Sequence, residues 1–163
     1  LLASIENLPL AGECFDLVTA NMVVEHLTPQ TRALYEVRRV LRPGGRLIFH
    51  TPNYYYPLTL ASSLADGLLP QRLKDRLVAR LEARQTQDVF PTHYVLNTAR
   101  SIRRAAAIAG LEVESLRRIE SAPSTAYSFP LVACGELLFI KTARLLPGRA
   151  LASNLIVVLR RPA

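Results

Sequence analysis

The chain has 163 residues, of which 50% are hydrophobic, so it is long and apolar enough for one domain with a packed core, and disorder is not expected. The net charge is +7, but no basic run is interleaved with aromatic residues, so nucleic-acid binding is not indicated. Cys14 and Cys134 lie far apart and form no metal-ligand or disulfide pattern, which suits a reducing cytoplasm. The sequence shows no secretory leader, and no apolar run reaches the ~20 residues of a membrane-spanning helix.

A strand–helix–strand pattern occupies residues 15–50. The apolar, partly β-branched run at 15–20 predicts a buried strand. Apolar residues at steps of three and four then predict a helix, which we expect to end at the Pro-Gly-Gly sequence at 43–45. Residues 46–50 predict a second strand. A helix joined to two strands by short links forms a βαβ unit, so the two strands should be parallel, with a right-handed crossover.

Two segments further along the chain are predicted to be insertions. The first, 58–87, contains a basic amphipathic helix at 71–84, for which three roles stay open: a lid over an active site, docking on a membrane surface, or a solvated helix. The second, 121–153, is mostly apolar at 131–146. It fits a hairpin that covers a pocket, a dimer face, a peripheral membrane contact or plain core packing.

The C-terminal part of the chain contains a second α/β pattern. Thr98 is a good N-cap for a helix at 99–109, and Gly110 is a suitable residue to end it. Alternation of apolar and acidic residues predicts a strand at 111–119. The apolar run at 155–159 predicts a last strand.

Four short motifs follow one another along the chain: Leu8-Pro9-Leu10, Phe15-Asp16-Leu17-Val18, Glu25-His26-Leu27 and Glu36-Val37-Arg38-Arg39-Val40-Leu41-Arg42-Pro43-Gly44-Gly45. Their order and spacing resemble the class I S-adenosylmethionine (SAM)-dependent methyltransferases. The closest resemblance is to the small-molecule branch that includes quinone-biosynthesis methyltransferases. It is continuous from about residue 5 to residue 53 and resumes more weakly at 90–118 and 154–160.

This resemblance implies a Rossmann-like α/β sheet, with the last strand antiparallel between the strands at 46–50 and 111–119. It also implies methyl transfer from SAM to a small acceptor. The apolar and aromatic character of the two insertions favours an apolar or aromatic acceptor. Two alternatives remain: a degenerate methyltransferase-like domain that acts as a binding or membrane-surface module, and an NAD-dependent Rossmann enzyme.

The sequence contains no G-x-G, although a complete nucleotide-binding domain of this type needs a glycine-rich turn after its first strand. We therefore expect residues 1–163 to be the C-terminal part of one methyltransferase domain whose first two strands lie upstream. The chain alone should then bind cofactor poorly and be inactive.

The resemblance also implies a set of cofactor contacts. Ser4, Ile5 and Glu6 should approach the adenine, although Ser4 stands where the family usually has an aspartate. Asn21 and Met22 follow a strand and should contact the methionine part of SAM. His26 either lines the cofactor pocket or only forms hydrogen bonds with buried backbone. These candidate residues are Ser4, Ile5, Glu6, Asn21, Met22 and His26.

Substrate and catalytic candidates come from two loops. Tyr54, Tyr55 and Tyr56 lie in a stiff, proline-flanked loop, where they either stack on a flat substrate or pack against the following segment. His93 is a candidate general base, since a neutral imidazole can accept a proton, although a lone histidine is more often structural. No metal site is indicated.

Overall fold

The computed structural model of the protein describes residues 3–28, 30–57, 59–60, 63–64, 92–120, 130–143 and 151–163. The basic helix expected at 71–84 lies outside the described residues, as do most of the first insertion and residues 144–146 at the end of the apolar run in the second. By contacts within the chain, the residues divide into two compact units. Unit 1 comprises 1–52, 92–117 and 155–163, and unit 2 comprises 53–91 and 118–154.

The described elements form a mixed α/β structure with one four-stranded sheet in the order β1-β2-β4-β3. In chain order they are β1 Phe15–Asn21, a 3₁₀ turn Val24–His26, α1 Gln30–Val40, β2 Leu41–Pro52, α2 Ala99–Ile108, β3 Glu112–Ile119, α3 Pro130–Ala143 and β4 Asn154–Arg160. The predicted strands and the helix at 99–109 are confirmed within one or two residues at most ends. Thr98 caps α2 as expected, since its side chain accepts the Ser101 N–H.

The first two strands pair in parallel, as the strand–helix–strand pattern predicts, and Asn21 lies opposite His50 at their carboxyl ends. The prediction for the end of α1 was wrong, because the helix ends at Val40 and β2 already begins at Leu41. The last helical carbonyls are taken by distant groups. The Arg161 guanidinium donates to the carbonyl oxygen of Arg38 in the last turn of α1, and also to that of Leu41, the first residue of β2.

The last strand lies between β2 and β3, as the resemblance implies. Gly44 donates its N–H to the Arg161 carbonyl, and the Arg161 N–H donates to the Gly45 carbonyl. At the other end of β2, the Asn53 N–H donates to the Ser153 carbonyl. The start of β2 thus meets the end of β4, and the end of β2 meets the start of β4, so the two strands are antiparallel.

One face of the sheet in unit 1 carries the hydrophobic core. Leu34 and Val37 of α1 and Ile102 of α2 pack with alternating residues of β2 and β4, and all are at most 2% exposed. The first strand is exposed by comparison, because Leu17 is 51% accessible to solvent. β1 is the edge strand of the described sheet, and its outer row of backbone groups has no strand partner there.

In unit 2, α3 places Leu137 and Leu138 at the surface, and its Phe139 ring meets Tyr56 edge to face at 6.1 Å. None of the helices in the described ranges has both the length and the apolar character needed to cross a bilayer.

Candidate functional site

The carboxyl ends of β1 and β2 bring two polar side chains together. His50 Nδ1 and Asn21 Oδ1 are 2.8 Å apart, and since an amide oxygen only accepts, the imidazole donates from Nδ1. His50 Nε2 is shielded from solvent and has no hydrogen-bond partner in the described part of the chain. In open α/β sheets, ligands bind beyond the carboxyl ends of the strands, so this edge is the natural place for a site.

The residue after Asn21 has an unusual backbone. Met22 has a φ of 52°, in the left-handed region, and its N–H donates to the His50 carbonyl at 2.9 Å. Its side chain is 42% exposed, which is uncommon for a large apolar residue. Strained backbone of this kind concentrates at ligand sites, and here it turns the chain sharply out of β1.

Next to this pair lies a buried polar network. Thr51 is fully buried; its hydroxyl donates to Glu25 Oε2 at 3.1 Å and accepts from Asn97 Nδ2 at 2.8 Å. The Asn97 amide also donates to the Pro52 carbonyl at 2.8 Å. This network joins three segments at one end of the sheet: the 3₁₀ turn, the end of β2 and the approach to α2.

The two candidate histidines of unit 1 are attached to this network through the backbone. The main-chain N–H of His93 donates to the Glu25 carbonyl at 2.7 Å, and His26 follows Glu25 in the 3₁₀ turn. The His93 side chain is exposed. The structure therefore brings the segment that carries His93 to the turn that carries His26.

The candidate adenine residues form a closed turn. The Ser4 carbonyl accepts the Asn7 N–H at 3.0 Å, and the Ser4 hydroxyl accepts the Glu6 N–H at 3.2 Å. The Ile5 side chain packs against the core, whereas no hydrogen bond of its N–H occurs among the described residues. The turn thus leaves the Ile5 amide as a donor, and no hydrogen bond links Ser4, Ile5 or Glu6 to Asn21 within that part of the chain.

Charged residues of α1 hold the chain just after this turn. The pKa of Glu36 is lowered from its ordinary 4.5 to about 2, chiefly by the hydrogen bond from Arg39 and then by the backbone N–H of Leu8. The Arg39 Nη2 to Glu36 Oε2 distance is 2.9 Å. Glu36 therefore remains a carboxylate through the neutral and mildly acidic range.

The three tyrosines of unit 2 have different environments. Tyr56 is buried against Phe139, whereas Tyr55 is 56% exposed and meets the Tyr54 ring edge to face at 6.1 Å. Tyr55 is therefore the ring of this group that is most accessible to a ligand.

Sequence reasoning missed four residues of this region: His50, Glu25, Thr51 and Asn97. One signal points to His50 and Thr51, since both lie at the end of a predicted strand. Glu25 is part of the Glu-His-Leu motif, but its burial at 2% exposure has no local signature. Asn97 precedes the α2 cap, and its contacts with Thr51 and Pro52 depend on the folded sheet.

Comparison with known proteins gives the same family. Residues 1–49 match the family model described as "Methyltransferase domain". The chain is 36% identical over 95 residues to the malonyl-(acyl-carrier protein) O-methyltransferase of Pectobacterium atrosepticum, covering 58% of this chain and 32% of that protein. It is 35% identical over 77 residues to the ubiquinone/menaquinone biosynthesis C-methyltransferase of Burkholderia vietnamiensis, covering 47% of this chain and 32% of that one.

Solved structures agree at the level of the fold. A SAM-dependent methyltransferase from Methanosarcina mazei superposes with a TM-score of 0.57 at 14% identity, covering 98% of this chain and 65% of that one. One from Mesorhizobium loti gives 0.52 at 16% identity, covering 98% and 67%. The chain spans about a third of the length of the two curated relatives named above. In its motif series, its sheet order and these matches, the chain is similar to the class I, small-molecule SAM-dependent methyltransferases.

Proposed function

We propose that this chain is the C-terminal part of a domain that transfers the methyl group of SAM to a small apolar or aromatic acceptor. The observation that carries the proposal is the Asn21–His50 pair at the carboxyl ends of two parallel strands, in a chain of this family. The chain matches only a third of its curated relatives' length and contains no G-x-G sequence, which supports the presence of further strands in the complete domain.

Two hydrogen-bond donors of this chain fit the two ends of SAM, the adenine and the methionine carboxylate. The Ile5 N–H has no partner among the described residues and suits an acceptor nitrogen of the adenine ring. Asn21 uses its oxygen to bind His50, so its amide Nδ2 remains to donate to the methionine carboxylate. When bound, SAM supplies an activated methyl group on a sulfonium. The residues of this chain then mainly align the donor with the acceptor.

The nature of the acceptor is inferred from unit 2 and from the relatives. Tyr55 on the loop after β2 and Leu137 and Leu138 on α3 are exposed, and aromatic and aliphatic surface of this kind suits an apolar or aromatic acceptor. The named relatives methylate oxygen in one case and carbon in the other, according to their names. If the acceptor carries a proton that must leave, His93 is the candidate to receive it.

A radiometric assay tests the proposal. The full-length protein should transfer labelled methyl from SAM to an organic-extractable acceptor such as a catechol or a quinol. Asn21→Ala should raise the KM for SAM about tenfold or more, since a charge-assisted hydrogen bond is worth about 1.5–3 kcal/mol and about 1.4 kcal/mol is a factor of ten. Thr19→Ala is the matched control, because Thr19 is exposed on the same strand two residues earlier, and it should leave the KM unchanged.

Two results would count against the proposal. If the full-length protein binds no SAM, the chain belongs to a degenerate domain that acts as a binding module, and the replacement of the usual aspartate by Ser4 would then be its first explanation. If it binds SAM but methylates only small polar acceptors, the apolar or aromatic substrate class is wrong.

A further inference from the structure

Two charged side chains of α1 grip the backbone that follows the Ser4–Asn7 turn. Glu36 Oε2 accepts the Leu8 N–H at 3.0 Å. Arg39 donates from Nη2 to the Leu8 carbonyl at 3.0 Å and from Nη1 to the Leu10 carbonyl at 2.8 Å. We call Glu36 and Arg39 the loop clamp. It satisfies three main-chain groups of a segment that lies outside any strand or helix.

The loop clamp is itself held rigidly. Its two members are one turn apart on α1, and Arg39 donates to both carboxylate oxygens of Glu36, from Nε at 3.0 Å and from Nη2 at 2.9 Å. The opposite face of the helix is buried, with Leu34 and Val37 in the core. Because packing fixes the helix and the paired hydrogen bonds fix the side chains, the clamp transmits the position of α1 to the loop.

The clamped segment directly continues the turn that presents the Ile5 amide. Leu8 follows Asn7, whose N–H closes the turn on the Ser4 carbonyl. On the other side of the turn, the Ile5 side chain packs against the core. The turn is therefore fixed at two points, the Ile5 side chain and the Leu8 backbone, and the direction of the Ile5 N–H depends on both.

We propose that Glu36 and Arg39 are positioning residues for the adenine of SAM. They hold residues 8–10 so that the preceding turn presents the Ile5 N–H at a fixed place and angle. This inference rests on the proposed function, since it takes the Ser4–Asn7 turn as the adenine site. It assigns a binding role to two residues that touch no ligand themselves.

The clamp should matter more for ligand affinity than for stability. The Arg39 side chain is 40% exposed, and exposed ion pairs contribute little to the free energy of unfolding. Releasing the clamp frees the backbone of the loop, however, and a loop that must be ordered on binding lowers affinity. Lysine does not substitute for Arg39, because one ammonium cannot span two carbonyls and a carboxylate in the same planar arrangement.

Two conservative variants, Arg39→Lys and Glu36→Gln, test the inference in the full-length protein. Calorimetry measures the Kd of SAM and of adenosine, which lacks the methionine part. Each variant should weaken the binding of SAM and of adenosine by the same factor. This factor should be about tenfold for Arg39→Lys and less for Glu36→Gln, which keeps an acceptor for the Leu8 N–H. Equal factors for the two ligands would locate the loss at the adenine.

Arg42→Lys is the matched control, since Arg42 lies three residues after Arg39 and forms an exposed ion pair with Asp16 at 2.6 Å. Its Kd for SAM should stay within about twofold of wild type. Amide hydrogen exchange at Leu8 gives a readout independent of ligand: the N–H should be protected in the wild type and exchange faster in Glu36→Gln, because a neutral amide oxygen is a weaker acceptor than the carboxylate.

The outcomes separate this inference from the proposed function. If the wild type binds SAM and both variants bind it within twofold, the loop clamp does not position the adenine. If both variants fail to fold, the clamp supports the fold as a whole, and the inference is equally wrong. A wild-type protein that binds no SAM overturns the proposed function first.

Discussion

Thr51→Val removes the hydroxyl at the centre of the buried polar network while keeping the shape of the side chain. In the folded protein this hydroxyl donates to Glu25 Oε2 at 3.1 Å and accepts from Asn97 at 2.8 Å. Asn97 keeps its bond to the Pro52 carbonyl, but Glu25 loses its one side-chain donor among the described residues. We therefore expect the variant to lose stability through one unsatisfied buried carboxyl group, that of Glu25, and one lost hydrogen bond, that from Asn97.

The expected magnitude follows from those two terms. A lost hydrogen bond costs about 1 kcal/mol, and leaving a buried polar group unsatisfied costs about 1–3 kcal/mol, so the free energy of unfolding should fall by about 2–4 kcal/mol. Thr51→Ser is the matched control, because it keeps the hydroxyl and removes one methyl, at a cost of about 1 kcal/mol.

Urea unfolding followed by circular dichroism measures both variants against the wild type. The reasoning requires Thr51→Val to be clearly less stable than Thr51→Ser at an unchanged m-value. If Thr51→Val were as stable as the wild type, or more stable than Thr51→Ser, the network would not be satisfied by this hydroxyl and its account would be wrong.

Two further predictions concern pH and backbone strain. The pKa of Glu36 is lowered to about 2 by Arg39 and Leu8, so its stabilisation is complete above pH 4.5 and is lost as the pH falls toward 2; Glu36→Gln should remove this part of the acid-unfolding curve, and an unchanged curve would contradict it. Gly44 and Gly110 both have positive φ, 79° and 71°, but an added Cβ meets nothing near Gly44 and lies 3.0 Å from Arg38 Nε at Gly110. Gly110→Ala should therefore lower the melting temperature more than Gly44→Ala, and equal shifts would show that the contact with Arg38 is harmless.

The sheet and α2 could be predicted because their signals are local. Alternating or continuous apolar runs gave the strands, and Thr98 and Gly110 gave the two ends of α2. The end of α1 could not be predicted in the same way. Arg161 binds the Arg38 carbonyl in its last turn and the Leu41 carbonyl just after it, but lies 120 residues from Leu41, and no nearby residue indicates that contact.

The candidate site also combines residues with local sequence signals and contacts that depend on the folded sheet. Asn21 is a candidate because it follows a predicted strand, but its pairing with His50 can be recognised only when the register of β1 and β2 is known. The Glu25–Thr51–Asn97 network joins residues 26 and 46 positions apart, so the spacing within any one segment gives no indication of it. The cofactor and substrate roles of Ser4, Ile5, Glu6, Asn21, Met22, His26, Tyr54, Tyr55, Tyr56 and His93 stay predictions.

Equilibrium binding of SAM tests the central claim most directly. Calorimetric titration of the full-length protein should show one site for SAM, and Asn21→Ala should weaken the affinity about tenfold, with Thr19→Ala unchanged. Absence of SAM binding to the folded, full-length protein would contradict the claim that this sheet edge belongs to a working methyltransferase.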